Sequence, residues 1–180
     1  MHEMRRSDKE IHSQTEIDEI LETGEVCHLA LKDEPFPYVV PLNYGYGRMP
    51  ETSAAAGAAE PGATNEGRGA PALFFHGAAT GRKIDLMKRD PRAAFVVDVD
   101  HELITDEEAC RFTMYYRSVM GTGHIRFLEE PEEKRYAMNC VMHQYSGRDD
   151  WSLPDRALQA MAIYALVIEE MSGKRSPGKS

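Results

Sequence analysis

The chain changes from strand to helix within residues 75–83, FHGAATGRK, and the rest of the sequence is interpreted outward from this stretch. Small residues follow an apolar run, and Thr80 is a predicted N-cap for a helix over residues 81–89. Arg82 and Lys83 lie in its first turn, where the helix dipole favours acidic side chains. Free backbone N–H groups and two cations favour a bound phosphate, and solvated surface side chains are the alternative.

Alternating apolar residues predict a β-hairpin before this stretch. Residues 26–31 and 38–46 alternate with a period of two, and a predicted turn at residues 32–37 separates them. Pro41 lies inside the second strand. Because proline has no N–H to donate, Pro41 predicts a strand with a free edge. That edge either accepts a planar heteroaromatic ligand or protects the sheet against aggregation.

The remaining elements follow from periodicity and from helix start and stop signals. Helices are predicted from the Thr15 cap to Gly24, from Pro131 to about Tyr145, and as a helix or turn over 154–161, and strands over 72–76, 93–99, 112–128 and 163–168. Most strand connections are short, and there are too few crossover helices for a parallel sheet. The sequence therefore predicts a mainly β fold, an antiparallel barrel with peripheral helices.

Residues 48–71 differ in composition from the rest of the chain. They are rich in Ala, Gly, Glu, Pro, Ser and Thr and contain no large apolar side chain after Met49, so they bury too little to offset the entropy of ordering. Strand signals on both sides predict a flexible low-complexity insertion within a hairpin. We therefore expect one domain over residues 1–174 and a disordered tail over residues 175–180.

The composition excludes several classes of protein. Of 180 residues, 30 are acidic and 21 are basic, a net charge of −9, which argues against generic nucleic-acid binding. No apolar run is long enough to span a membrane, and the first 25 residues are mostly polar, so we expect neither a membrane span nor a secretory signal. We therefore expect a cytoplasmic location. Cys27, Cys110 and Cys140 lack disulfide or zinc spacing, so we expect buried small side chains and no metal site.

An ordered series of motifs resembles the split-barrel flavoproteins. The series comprises VCHLA at 26–30, PYVVPLNY at 37–44, FHGAATGRKIDL at 75–86, YRSV at 116–119 with Gly121 and Gly123, MHQYSG at 142–147, Trp151, and IEEMSGKR at 168–175. It is most similar to the pyridoxamine 5′-phosphate oxidase-related branch that includes the 5-nitroimidazole resistance (Nim) proteins. The similarity covers roughly residues 4–174.

This resemblance implies a six-stranded antiparallel split β-barrel, the FMN-binding split barrel, which forms a homodimer with FMN, or FAD, at the subunit interface. Carried over by position, the residues along the isoalloxazine ring are Pro41, Leu42, Asn43 and Tyr44, with Phe75, His76 and Gly77 on the adjacent strand, and the phosphate is held by Thr80, Arg82 and Lys83. The residues that reach the flavin bound mainly by the other chain are Arg117, Ser118 and Val119. The pocket walls are Trp151 and Tyr145.

His76 matches the strand-end histidine that the Nim-like proteins have at their site, which predicts a catalytic role in orienting the substrate or donating a hydrogen bond to it. A structural role is the alternative. The chain departs from the family at the long segment 48–71. It also lacks the basic and aromatic C-terminal segment of true pyridoxamine 5′-phosphate oxidases, which disfavours vitamin B6 oxidation.

These observations predict a flavin-dependent oxidoreductase that acts on a small oxidised substrate such as a nitroaromatic. Gly121-Thr122-Gly123 does not continue into a dinucleotide-binding fingerprint, so the reductant is expected to bind transiently or to be a partner. Two alternatives are a non-catalytic flavin-binding module for storage or sensing, and a haem-binding barrel. For haem, the candidate axial ligands are His28, His76, His124 and His143.

Overall fold

The structure is a computed structural model that describes residues 6–50 and 69–176. Within these residues it contains eight strands: β1 (Glu10–Ile11), β2 (Cys27–Leu31), β3 (Tyr38–Leu42), β4 (Gly45–Arg48), β5 (Pro71–Ala78), β6 (Arg92–Ile104), β7 (Thr113–Phe127) and β8 (Met161–Arg175). The same residues contain four α-helices: α1 (Gln14–Thr23), α2 (Arg82–Arg89), α3 (Pro131–Ser146) and α4 (Asp155–Ala160).

The strands form one antiparallel sheet in the order β3-β2-β6-β7-β8-β5-β4, and β1 pairs with β8. Only Asn43 and Tyr44 separate β3 from β4, the two ends of this order. Since one short segment supplies both edges, the sheet curls into a barrel that is split between β3 and β4. The predicted split barrel is confirmed. The strand count is eight because Asn43 and Tyr44 divide the predicted strand 38–46 and residues 10–11 add another.

Two apolar cores lie on the two faces of β5. Leu73 and Phe75 point into the barrel, where the Phe75 ring stacks on Tyr164 with 5.4 Å between ring centroids. Phe74 points to the opposite face and meets Tyr136 of α3 edge-on at 5.6 Å. Because both faces of β5 are buried, its sequence is a continuous apolar run rather than an alternating one.

Helix α3 packs directly on β4 and α1. A Cβ on Gly45 would lie 2.3 Å from the carbonyl carbon of Cys140, so only glycine permits this close approach of helix and strand. The Gln144 amide donates hydrogen bonds to the carbonyl oxygens of Leu21 at 3.0 Å and Gly24 at 2.8 Å. These bonds satisfy carbonyls at the end of α1 that have no partner within the helix.

Two predicted helix caps are wrong by one or two residues. Helix α1 is capped by Ser13, whose Oγ accepts the N–H of Glu16 at 3.3 Å, and not by Thr15. Ser13 and Glu16 have the Ser-x-x-Glu pattern of a capping box. Helix α2 has Gly81 at its N-cap instead of Thr80. Gly81 has φ +118°, a conformation that favours glycine.

The C-terminal part of β8 is longer than the sequence predicts. Arg175 belongs to β8, and the buried Ser176 donates its N–H to the carbonyl of Tyr116 at 3.0 Å. The expected start of the tail at residue 175 is therefore wrong, because these residues pair with β7. Residues 177–180 of that tail lie outside the described residues.

Both ends of the predicted insertion belong to a hairpin. Arg48 pairs in register with Pro71, and Met49 donates its N–H to Ala70 at 2.9 Å. The flexibility expected between them concerns residues 51–68, which lie outside the described residues. The described part of the chain contains no helix that is both long and apolar enough to cross a membrane.

The three cysteines have different surroundings. Cys27 is buried and Cys140 is half-buried, and burial raises the pKa of each thiol to about 12. Cys110 is exposed, contrary to prediction, because it lies in the turn between β6 and β7. Across residues 6–50 and 69–176, no group of three or more His, Cys, Asp or Glu side chains is arranged to hold a metal ion.

Candidate cofactor site

The end of β5 and the start of α2 form a corner that contains Gly77, Thr80, Arg82 and Lys83, which we call the α2 corner. Gly81 makes the turn into α2 and offers no side chain to cap its first N–H groups. The positive end of the helix dipole therefore faces this corner without a carboxylate or hydroxyl of the N-cap residue. The structure brings these four predicted site residues together.

Lys83 is half-buried at this corner, and burial lowers the pKa of its ammonium group. Its Nζ lies 5.7 Å from the ring centroid of Tyr164. A Cβ on Gly77 would lie 3.4 Å from the same atom. Within the described chain the ammonium group has neither an ion-pair partner nor a hydrogen-bond acceptor. A partly desolvated cation without an anion fits a ligand that brings negative charge.

Arg82 has a carboxylate partner. Its Nε and Nη2 donate to Oδ2 of Asp33 at 3.0 and 2.5 Å, and its guanidinium carbon lies 5.3 Å from the Tyr38 ring centroid. Arg89 also donates to Asp33, at 3.1 Å. Hydrogen bonds from Arg82, from the Glu34 backbone and from Arg89 lower the pKa of Asp33 to about 2.

The predicted ring-binding segment lies on and after β3. Pro41 and Asn43 are exposed, whereas Leu42 is half-buried against the barrel core. Tyr44 is completely buried, and its hydroxyl donates to the carbonyl of Leu21 at 2.7 Å. Strand β3 pairs with β2 alone among the described strands, which agrees with the edge that Pro41 predicts. A ligand at this edge can therefore reach Pro41 and Asn43 but not the Tyr44 side chain.

The two residues before Gly77 point in opposite directions. Phe75 is fully buried in the barrel core, whereas His76 is exposed. Since side chains alternate along a strand, His76 lies on the face of β5 opposite to Gly77, next to which Lys83 lies. The structure therefore separates the predicted catalytic histidine from the cation at the α2 corner.

The predicted site residues of β7 lie away from the α2 corner. Val119 is in the barrel core, and buried Ser118 donates to the Lys174 carbonyl at 3.5 Å. Arg117 donates to Asp100 at 2.5 Å and to Glu19 at 3.1 Å, and these carboxylates, Glu19 first, raise its pKa. Arg117 pairs with Arg175 at one end of β8, whereas Gly77 of the α2 corner pairs with Ala162 at the other end of the same strand. One chain does not bring Arg117 to the α2 corner.

Trp151 lies in the exposed segment after α3. Its Nε1 donates to the hydroxyl of Ser146 at 3.0 Å, and the Arg148 guanidinium carbon lies 4.7 Å from its ring centroid. Tyr145, the other predicted pocket wall, donates its hydroxyl to the carbonyl of Glu25 at 2.6 Å. Trp151 therefore has its partners at the C-terminal end of α3, whereas Tyr145 connects that end to the segment after α1.

A cavity of about 290 Å³ lies between α2, the end of β7 and the start of β8. It has an apolar floor that includes Ile84 and Phe127, and Lys88 and Lys134 are in its walls. Ala79 connects it to the α2 corner, but it is lined by none of the predicted site residues. The candidate site is therefore defined by the α2 corner and the β3 edge.

A family sequence profile described as pyridoxamine 5′-phosphate oxidase matches residues 13–175. The chain belongs to the pyridoxamine 5′-phosphate oxidase family. This match confirms the resemblance that the motifs indicate. A comparison with curated proteins gives no match.

Three solved structures show the same fold. A candidate 5-nitroimidazole antibiotic resistance protein from Bacteroides thetaiotaomicron VPI-5482 is 24% identical, with a TM-score of 0.71 over 97% of this chain and 96% of that one. The flavocytochrome Anf3 of Azotobacter vinelandii is 18% identical, with a TM-score of 0.72 over 98% and 73% of the two chains. An FAD- and heme-binding protein from Mycobacterium smegmatis is 19% identical, with a TM-score of 0.72 over 94% and 74%.

For this member of the pyridoxamine 5′-phosphate oxidase family, sequence reasoning missed Asp33. It is the carboxylate that holds Arg82, and 49 positions separate the two residues. An acidic residue in a hairpin turn is common on a protein surface, so no local signal identifies Asp33 as a partner of α2. Only the fold, which packs the β2–β3 turn against α2, brings them together.

Proposed function

We propose that this protein binds FMN at the α2 corner and is a flavin-dependent oxidoreductase for a small oxidised substrate such as a nitroaromatic. The observation that carries the proposal is the half-buried Lys83 ammonium group, which has no anionic partner in the described chain. It lies beside the N–H groups at the start of α2, which have no side-chain cap. Both features favour a phosphate group.

The site residues fit a phosphorylated flavin. Gly77 has no side chain beside the Lys83 ammonium, which leaves room for phosphate oxygens. The exposed Pro41 and Asn43 lie on the β3 edge, where a planar ring can lie against the backbone. Arg82 is held at the corner by Asp33 and keeps N–H groups free for further acceptors. FAD, which brings an anionic pyrophosphate instead of the terminal phosphate of FMN, is the alternative cofactor.

The expected roles follow from these positions. The flavin, when bound, would carry electrons to the substrate from an external reductant such as a nicotinamide nucleotide. Lys83 and Arg82 hold the phosphate, and the β3 edge orients the ring. His76 is exposed, so it is free to donate a hydrogen bond or a proton to a substrate. The similar structures described as a nitroimidazole resistance protein, a flavocytochrome and an FAD- and heme-binding protein support flavin binding and a nitroaromatic substrate.

A homodimer with the flavin at its interface is part of this proposal. The outer face of the sheet carries Pro41, His28, Val96 and Met120 in register across four neighbouring strands. Val96 and Met120 are 36% and 40% exposed, and the nearby Val39 is 57% exposed. A second copy of the chain would cover this apolar face by an isologous contact. The family resemblance also implies a contact between Arg117 of the second copy and the flavin.

The oligomeric state tests the interface. We expect light scattering to give the mass of a dimer for the wild type and of a monomer for Val96→Glu. Phe36→Glu is the control for a charge placed on an exposed apolar residue outside the strands, because Phe36 is 77% exposed in the β2–β3 turn. A Val96→Glu variant that stays dimeric would contradict the assigned interface.

The function is tested on freshly purified protein. Its visible spectrum and the mass of the molecule that heat releases should identify FMN. Anaerobic reduction by a nicotinamide nucleotide, followed by reoxidation with a nitroimidazole, should complete turnover. Bound flavin that no donor reduces would instead support the non-catalytic module. A haem spectrum, or colourless protein that does not take up FMN, would refute the proposal.

A further inference from the structure

One carboxylate holds the turn between β2 and β3 against α2. The Asp33 side chain is only 9% exposed, and its oxygens accept hydrogen bonds from Arg82, Arg89 and the backbone N–H of Glu34. Two of these donors belong to α2 and lie two helical turns apart. A carboxylate with so many charged and backbone donors has little capacity left for solvent or a ligand.

We infer that Asp33 is a positioning residue that makes the flavin site selective for a phosphorylated flavin, because it fixes Arg82 and ties the β3 edge to the α2 corner. This inference rests on the proposed FMN site. Nothing in the sequence motifs assigns a role to Asp33.

Asp33 restricts the Arg82 side chain. Arg82 is 65% exposed, so without a partner its long side chain would sample many rotamers. Asp33 holds its Nε and Nη2, while the Tyr38 ring lies 5.3 Å from the guanidinium carbon. Two of the five N–H donors are used, and three remain for a phosphate. The guanidinium group is thus positioned before the ligand arrives, which reduces the entropic cost of binding.

The two halves of the site lie on either side of the contacts that Asp33 makes. The β3 edge with Pro41 and Asn43 follows the turn that contains Asp33, and Arg82 and Arg89 belong to α2. The contacts of Asp33 therefore set the distance between the ring-binding and phosphate-binding surfaces. FMN must contact both surfaces, whereas riboflavin has the same ring but no phosphate. A change in this distance should affect FMN far more than riboflavin.

The charge on Asp33 is constant under the conditions of a binding assay. Hydrogen bonds from Arg82 and Arg89 lower its pKa to about 2, so the carboxylate is ionised at neutral and mildly acidic pH. A negative charge near the site has a second effect, opposite in sign to the positioning of Arg82, if it repels the phosphate of FMN. In that case removal of the charge would strengthen FMN binding, whereas loss of the Arg82 contact would weaken it.

The test measures dissociation constants of FMN and riboflavin by flavin fluorescence on cofactor-free protein. We expect Asp33→Asn to weaken FMN binding about tenfold, the loss typical of one charge-assisted hydrogen bond, and to change riboflavin binding less than about twofold. Asp33→Asn combined with Arg82→Ala should weaken FMN binding by less than the product of the two single effects, because both changes remove the Asp33–Arg82 contact, and the remaining loss reports the contact of Asp33 with Arg89. Asp33→Glu keeps the charge and should retain part of the FMN preference.

Asp90→Asn is the matched control. Asp90 caps the other end of α2 and pairs with Arg92, and this contact lowers its pKa in the same way. We expect this variant to bind FMN like the wild type. If Asp33→Asn is poorly folded, Arg89→Ala removes one anchor of the turn and should reduce the FMN preference by a smaller factor.

The outcomes separate the inference from the proposed function. FMN binding by Asp33→Asn that is unchanged or tighter would overturn the inference alone, as would a parallel loss of riboflavin binding. A wild type that binds FMN and riboflavin equally would overturn both the inference and the phosphate assignment. A wild type that binds neither flavin would refute the proposed function and the inference with it.

Discussion

Lys83 and Arg117 are both cations that the sequence assigns to a flavin, but their surroundings are opposite. Arg117 lies among carboxylates, with Asp100 and Glu19 in hydrogen-bond contact and Glu16 at 4.0 Å. Lys83 has no such partner in the described chain, and burial lowers its pKa. The difference teaches that the local balance of charge, rather than the residue type, decides which cation is available to an anionic ligand.

The largest effect is expected when the cations of the α2 corner are removed. Arg82→Ala combined with Lys83→Ala should weaken FMN binding by at least about 100-fold, since each charge-assisted contact contributes about 1.5–3 kcal/mol. The measurement is a fluorescence titration with FMN. Arg6→Ala combined with Arg111→Ala is the matched control, because it removes two exposed cations far from the corner. Equal affinities of the two double variants would remove the phosphate assignment.

His76 lies on the face of β5 opposite to Gly77 and the Lys83 ammonium group, so its expected role is separate from phosphate binding. His76→Ala should leave the FMN dissociation constant within about twofold and lower turnover of a nitroaromatic by about 100-fold, the usual contribution of a general acid. Stopped-flow reoxidation of the reduced protein measures this rate. His124→Ala is the control, since His124 is held by Glu169 at 3.0 Å. A parallel loss of FMN binding in His76→Ala would give His76 a structural role.

Arg117→Ala should affect stability first. Removal of the cation leaves three carboxylates close together, which should lower the free energy of unfolding by about 1–3 kcal/mol. Thermal denaturation should show a clear decrease of Tm, and Arg6→Ala, an exposed pair with Asp8, should show little change. An FMN titration of the folded Arg117→Ala variant separately tests the role across the dimer. An unchanged Tm would contradict the structural role of Arg117.

The smallest effect is the pH dependence that Lys83 should confer. Burial lowers its pKa below 10.5, so the ammonium group loses its proton at lower pH than a free lysine. FMN binding needs the protonated form, so it should weaken as the pH rises towards the lowered pKa of Lys83, at a lower pH than for an exposed lysine. The free energy of unfolding should rise slightly over the same range, because the unfolded chain then binds more protons. Lys83→Arg stays charged and should bind FMN with little pH dependence. A wild type whose FMN affinity does not fall with rising pH would contradict the assignment of Lys83 to the phosphate.

The barrel was predictable because a period of two determines which side chains face inward. Tyr38, Val40 and Leu42 do pack against the barrel core, as the alternation predicts. The α2 corner was also predictable, since Arg82 and Lys83 are neighbours in sequence. The pairing of Arg82 with Asp33 depends on how a turn packs against a helix, and no local pattern contains that information. The exposure of Cys110 likewise depends on how far β6 and β7 extend beyond the barrel.

The most direct test of the account is the crystal structure of the protein with FMN bound. The account predicts that the FMN phosphate lies about 2.7–2.9 Å from Lys83 Nζ and next to the first N–H groups of α2. It also predicts that the flavin ring lies along the β3 edge at Pro41 and Asn43. A phosphate bound elsewhere, with Lys83 facing solvent and Arg82 in contact only with Asp33, would contradict it.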